Sequence, residues 1–176
     1  FRSAVAQDPI GVMYFANSGG ILEYDGSNWT LFPTLSTVRS LRIGQQDRIY
    51  VGLTSAFGFF DKKTKKFTYL SEKLEEKDQP NTVWSVQVLQ DTVYFQSFEK
   101  IYRYANGNGK IKIWHFEHLY HRLFNYKNQL YVRDTQKGLL KLEGEEWMPC
   151  PNAVWFKDKI VSAFLPYHQD DDQDIV

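Results

Sequence analysis

A tyrosine flanked by apolar residues recurs four times in this chain, and the spacing of those tyrosines constrains the fold more than any other feature. The copies are Met13-Tyr14-Phe15, Ile49-Tyr50-Val51, Val93-Tyr94-Phe95 and Leu130-Tyr131-Val132. Successive tyrosines lie 36, 44 and 37 residues apart (50−14, 94−50, 131−94). A period of about 40 residues is that of a four-stranded propeller blade. Ten residues after the first three tyrosines stand Tyr24, Phe60 and Tyr104; the fourth has Leu142, one residue later. Asp25, Asp61 and Glu143 follow in three of the four units, then a turn and an apolar strand near Trp29, Phe67, Ile111 or Trp147.

Upstream of the tyrosine lies a hydrophobic-x-Ser-hydrophobic segment: Phe1 to Ala6, Val38 to Ile43, Val83 to Val88 and Ile160 to Leu165. The fourth unit departs from it, with His121 where the others carry serine, so Ser162 opens a fifth unit. Each unit reads as four short strands separated by turn residues, which reverse the chain in few positions. For the second unit the strands are Val38–Ile43, Arg48–Leu53, Phe57–Asp61 and Lys66–Ser71. Asp25-Gly26 and Asn106-Gly107-Asn108-Gly109 are the clearest turn signals. The sequence therefore predicts an all-β chain, a β-propeller segment of four four-stranded antiparallel blades plus the start of a fifth. The blades fall at about 1–34, 38–71, 82–115 and 119–150, with a partial one at 160–176, all in a single propeller segment. A solenoid of another type is the structural rival; the alternation and turn density exclude helical repeats. The polar stretch from Ser71 to Asp78 lengthens one spacing and reads as a solvated insertion of one or two helical turns between blades.

Composition agrees. Hydrophobic residues make up 43% and aromatic residues 16% of the chain, which argues against disorder and for pleated, half-buried surfaces. Lysine plus arginine and aspartate plus glutamate number 21 each, so the basic excess of a nucleic-acid binder is missing. A lone cysteine, Cys150, allows no intrachain disulfide and does not fix the compartment. No apolar run reaches membrane-spanning length and no signal peptide is visible. The chain opens on Phe1-Arg2-Ser3, already strand-like, and reads as trimmed at both ends, so a missing targeting segment carries no information on location.

The stretch Gly11 to Asn17 followed by Gly20 to Trp29 resembles the opening blade of bacterial two-component-regulator propellers. Val38-Arg39-Ser40-Leu41, Asp47 to Gly52, Val93 to Ser97 and Leu130 to Leu140 resemble the same family, and the likeness runs through essentially the whole chain. The resemblance implies an extracytoplasmic, periplasmic sensor segment. In that family a three-tyrosine domain, a membrane helix and a cytoplasmic kinase or DNA-binding regulator follow. It further implies a glycan-derived ligand; the residues themselves carry no recognisable catalytic machinery, so no enzymatic activity is expected. An oligosaccharide, a second protomer and the downstream domains of the same protein are the expected partners. The alternative is a protein-interaction scaffold without a small ligand. A propeller enzyme such as a glycan lyase is a third reading, which would need clustered His, Tyr and Arg on one rim.

Candidate chemistry is sparse. His115, His118 and His121 are three apart, but on a strand that spacing alternates the side chains between faces, so no metal is expected. Asp170, Asp172 and Asp174 have part of a calcium-loop spacing without its glycine, and read as a solvated turn. Asn106 to Lys110 lacks phosphate-loop spacing, and Cys150 between two prolines reads as a structural thiol. No cofactor is expected. One set has a ligand rationale. Arg2, Arg39, Trp84 and Tyr120 hold the second position of each inner strand, where a propeller rings one end of its channel. Guanidiniums suit carboxylate or sulfate, and aromatic faces suit sugar rings. The competing reading has them merely packing between blades.

Overall fold

The computed structural model describes residues 4–118 and 122–164. Sixteen strands form four sheets, with no α-helix among the described residues. The first sheet holds β1 (Val5–Gln7), β2 (Met13–Asn17), β3 (Gly20–Tyr24) and β4 (Trp29–Pro33). The second holds β5 (Val38–Ile43), β6 (Arg48–Leu53), β7 (Phe57–Asp61) and β8 (Lys66–Tyr69). The third holds β9 (Ser85–Leu89), β10 (Thr92–Gln96), β11 (Lys100–Ala105) and β12 (Ile111–His115). The fourth holds β13 (Leu123–Tyr126), β14 (Gln129–Asp134), β15 (Gly138–Glu143) and β16 (Glu146–Pro149). Every sheet is an antiparallel meander in sequence order, the blade the repeat predicts. The chain divides into two compact units, Phe1–Phe116 with the first three blades and Glu117–Val176 with the fourth.

Turn chemistry sets the hairpins. Asp25, Asp61 and Asp134 each accept two backbone N–H groups of the turn that follows, closing it locally. The Asn106–Lys110 segment is a hairpin turn, with Gly109 at φ +66° and Asn108 Oδ1 accepting the Lys110 N–H at 2.9 Å. Lys127 and Asn128 form a two-residue turn with φ of +47° and +59°, a conformation that non-glycine residues adopt at a cost.

Within the first unit the repeat tyrosines look toward the next blade. Cross-strand partners share a face, so each blade has a tyrosine face and an opposite face. Tyr14 is buried with Leu41, Ile49 and Val51 of the second blade. Tyr50 is buried with Val86, Val93 and Phe95 of the third. Phe57 is fully buried, stacked on Phe95 at 4.5 Å and tilted against Tyr102 at 4.7 Å; such burial contributes about 2–3 kcal/mol. Polar bonds fasten the same joints: Lys62 Nζ to Asp8 at 2.9 Å, and Tyr50 Oη donating to Asn106 Oδ1 at 2.7 Å.

The serine of the inner-strand repeat has a role in the joint. Ser40 Oγ donates to Val83 O at 3.0 Å, and the Val83 N–H donates to Leu53 O at 2.9 Å. Gly52 leaves room for this approach, since a Cβ there would lie 2.5 Å from both Ser40 Oγ and Val83 Cγ1.

Two expectations need adjustment. The insertion forms short 3₁₀ turns at Leu70–Lys73 and Glu76–Asp78, but it is not solvated throughout. Leu70 and Ser71 are buried, and Ser71 Oγ accepts the Phe57 N–H at 3.2 Å, because this buried N–H lies past the last β7–β8 pair, Gly58 with Tyr69, and needs a partner. In the second unit, residues 160–164 are not a strand; Phe164 stacks on Phe124 at 4.6 Å. The remainder of the fifth repeat lies outside the described residues.

Candidate functional site

The inner strands β1, β5 and β9 lie side by side within the first unit. Val38 pairs with Leu53 and Ser40 with Gly52, leaving Arg39 as the extra residue of a β-bulge. A bulge re-aims the side chain it carries. The Arg39 guanidinium carbon sits 5.7 Å from the centroid of the Trp84 ring, within cation–π range. Trp84 is held by the Ser40–Val83 joint on its N-terminal side and by its own N–H, which donates to Gln96 O at 2.8 Å. Phe98 meets the indole edge-on at 5.4 Å and 69°.

Trp84 is 39% exposed, so it does not merely fill space between blades. Arg39 is partly exposed, and its Nε is shielded from water without a hydrogen-bond partner. Among the described residues no carboxylate pairs with Arg39. A guanidinium that is desolvated on one side and unpaired is poised to accept an anion. The exposed indole beside it offers a flat apolar face.

The structure thus brings two of the four expected site residues, Arg39 and Trp84, together. Arg2 and Tyr120 lie outside the described residues. Phe98 escaped the sequence reading because it sits in a turn with no repeat partner, and the bulge at Arg39 changes no strand spacing.

The other candidates resolve differently. His115 is exposed, with Nε2 3.4 Å from Asp78 Oδ1. His118 is partly exposed, and His121 lies outside the described residues. Among the described residues no group of three His, Cys, Asp or Glu side chains could hold a metal. Asp170, Asp172 and Asp174 also lie outside them. Cys150 is a free, partly buried thiol. Burial pushes it up from its ordinary value, against the pull of Lys141 and with some help from Glu143, so it stays protonated and is a poor nucleophile. Among the described residues no helix is long and apolar enough to cross a membrane.

Fold and geometry together define a β-propeller segment with an arginine–tryptophan pair on adjoining inner strands. Similar folds occur in extracellular domains of one-component and hybrid two-component systems from B. thetaiotaomicron. One, from a protein described as a one-component system, superposes with a TM-score of 0.67 at 18% identity, covering 83% of this chain and 21% of that one. Another, from a protein described as a hybrid two-component system, gives 0.65 at 15% identity, covering 80% and 23%. The computationally designed Ika4 protein gives 0.62 at 13% identity, covering 79% of this chain and 88% of that one. The chain spans little more than a fifth of those extracellular domains. At these identities the likeness is one of fold. No family model and no curated protein matches the sequence.

Proposed function

We propose that this chain is part of the extracytoplasmic sensor propeller of a bacterial signal-transduction regulator, and that it binds an acidic, glycan-derived ligand through Arg39 and Trp84. Its four blades belong to one propeller, followed in the full protein by a three-tyrosine domain and a kinase or DNA-binding output. The observation that carries the ligand reading is the bulged, unpaired Arg39 beside the exposed Trp84 ring. The guanidinium would take the carboxylate or sulfate of the sugar, and the indole would cover an apolar sugar face. The extracellular neighbours support the sensor reading and the compartment. To signal, the ligand must bind one arrangement of the protein better than another.

Titration calorimetry tests the site. Uronate-containing and sulfated oligosaccharides are compared with neutral ones of equal length, on the native chain and on Arg39→Ala/Trp84→Ala. Saturable heat with the acidic sugars, weakened by salt and at least about tenfold weaker in the double variant, is the expected result. Binding that the double variant retains overturns the site. Equal binding of neutral and acidic sugars overturns the anionic ligand. Absence of heat with every sugar moves the reading to a protein-interaction scaffold.

A further inference from the structure

Arg39 and Trp84 are held with unequal firmness. The indole is fixed: the Trp84 backbone N–H donates to Gln96 O at 2.8 Å, the neighbouring Val83 carbonyl accepts Ser40 Oγ at 3.0 Å, and Phe98 packs against the ring at 5.4 Å. The arginine is loose. Among the described residues its guanidinium has no hydrogen-bond or ion-pair partner, and it lies over the Trp84 ring alone. Arg133 is the contrast: it is 5% exposed, with Nε and Nη2 donating to the Phe156 and Lys157 carbonyls. Two backbone acceptors pin that side chain. Arg39 has no such acceptor among the described residues.

Spacing decides what can enter. The Arg39 guanidinium carbon is 5.7 Å from the centroid of the Trp84 ring. At Arg48 the same group is 4.3 Å from the Phe59 centroid, a direct stack. A sugar seated on an indole needs about 3.5–4 Å to the ring below and as much again to the group above, about 7–8 Å in all. The gap over Trp84 is wider than a stack and too narrow to hold a sugar. A sugar reaches this face of the indole only when the guanidinium leaves it.

The charge of the ligand decides whether it leaves. A cation–π contact at a partly exposed site is weak, and a carboxylate or sulfate replaces it with charge-assisted, bidentate hydrogen bonds. A neutral sugar offers the guanidinium no such exchange. The β-bulge lets the side chain move: Val38 and Ser40 pair with β6, and Arg39 between them does not, so its motion leaves the ladder intact. We propose that Arg39 is a specificity gate, a role that rests on the ligand site proposed above. It covers the indole in the free protein, moves off it toward an anion, and turns away neutral sugars that the bare indole would accept.

Fluorine NMR of the 176-residue protein labelled with 5-fluorotryptophan reads the gate. Trp84→Phe identifies the Trp84 line, and Arg39→Ala removes the cover. Arg39 is partly exposed, so circular dichroism of that variant should match the native chain. Without ligand, Arg39→Ala is expected to move the Trp84 line and leave those of the exposed Trp29 and Trp155 in place. Sodium sulfate, compared with chloride at equal ionic strength, should move the native Trp84 line toward its Arg39→Ala position. Trigalacturonate should bind Arg39→Ala at least about tenfold more weakly than the native protein, and its neutral methyl ester at least about tenfold more tightly. An unmoved Trp84 line in ligand-free Arg39→Ala, or in the native protein with sulfate, overturns the gate. So does a neutral trimer that binds both proteins alike or binds neither. Failure of trigalacturonate alone, with the other results as expected, overturns the acidic-sugar site and leaves the gate standing.

Discussion

Gly52→Ala should open the joint between the second and third blades. The new Cβ would lie 2.5 Å from Ser40 Oγ, 2.5 Å from Val83 Cγ1 and 2.8 Å from Val83 O. Two of these atoms form the Ser40–Val83 hydrogen bond and one is backbone, so rotamer changes alone do not relieve the clash. Overpacking of this kind costs about 1–3 kcal/mol, and loss of the buried hydrogen bond costs about 1–2 kcal/mol more. The lower chain entropy of alanine in the unfolded state returns only about 0.4–1 kcal/mol. The net expectation is a loss of about 3 kcal/mol. For a chain of this size that is roughly 6–12 °C in Tm. Thermal and urea unfolding read it. Gly107→Ala is the control, since its Cβ would meet nothing within 4 Å, and it should change Tm by no more than about 2 °C. Adding Val83→Ala removes Cγ1, so the double variant should lose less than the sum of the single losses. A Gly52→Ala protein as stable as the glycine control would refute the account of how these blades meet.

Two further outcomes follow from local chemistry. Burial tends to raise the Asp8 carboxyl, but the Lys62 ammonium and the Val12 and Ile10 N–H groups outweigh it and hold it below the ordinary carboxylate value. Stability from Asp8 is therefore present above the usual carboxylate range and lost as pH falls through the lowered value. Asp8→Asn should cost about 1–2 kcal/mol at pH 7 and should flatten the acid limb of a Tm-against-pH curve; an unchanged acid limb would count against the assignment. At the Lys127-Asn128 turn, Lys127→Asn places a residue more tolerant of positive φ. It should raise stability by about 0.5 kcal/mol in urea unfolding, and a loss would show that the turn is not strained.

The blade pattern was legible because strands and turns are encoded locally. Alternation of apolar residues and the aspartates and glycines at the reversals place β5 at Val38–Ile43, β6 at Arg48–Leu53 and β7 at Phe57–Asp61, and the structure has the same bounds. Equivalence of Arg39 and Trp84 was readable for the same reason, as a position in a repeat. Their juxtaposition was not. It depends on the bulge at Arg39 and on a serine bonding to a carbonyl 43 residues away. Pairings at that separation follow from how one sheet packs on the next, and a repeat with equal strand spacing looks the same with or without a bulge. Burial of Ser71 in a polar insertion, and the contrast between covered Leu41 and open Val5, belong to the same level. By itself the sequence determined that the chain folds into four meander sheets; packing of blade on blade decided which residues of those sheets meet and which stay open.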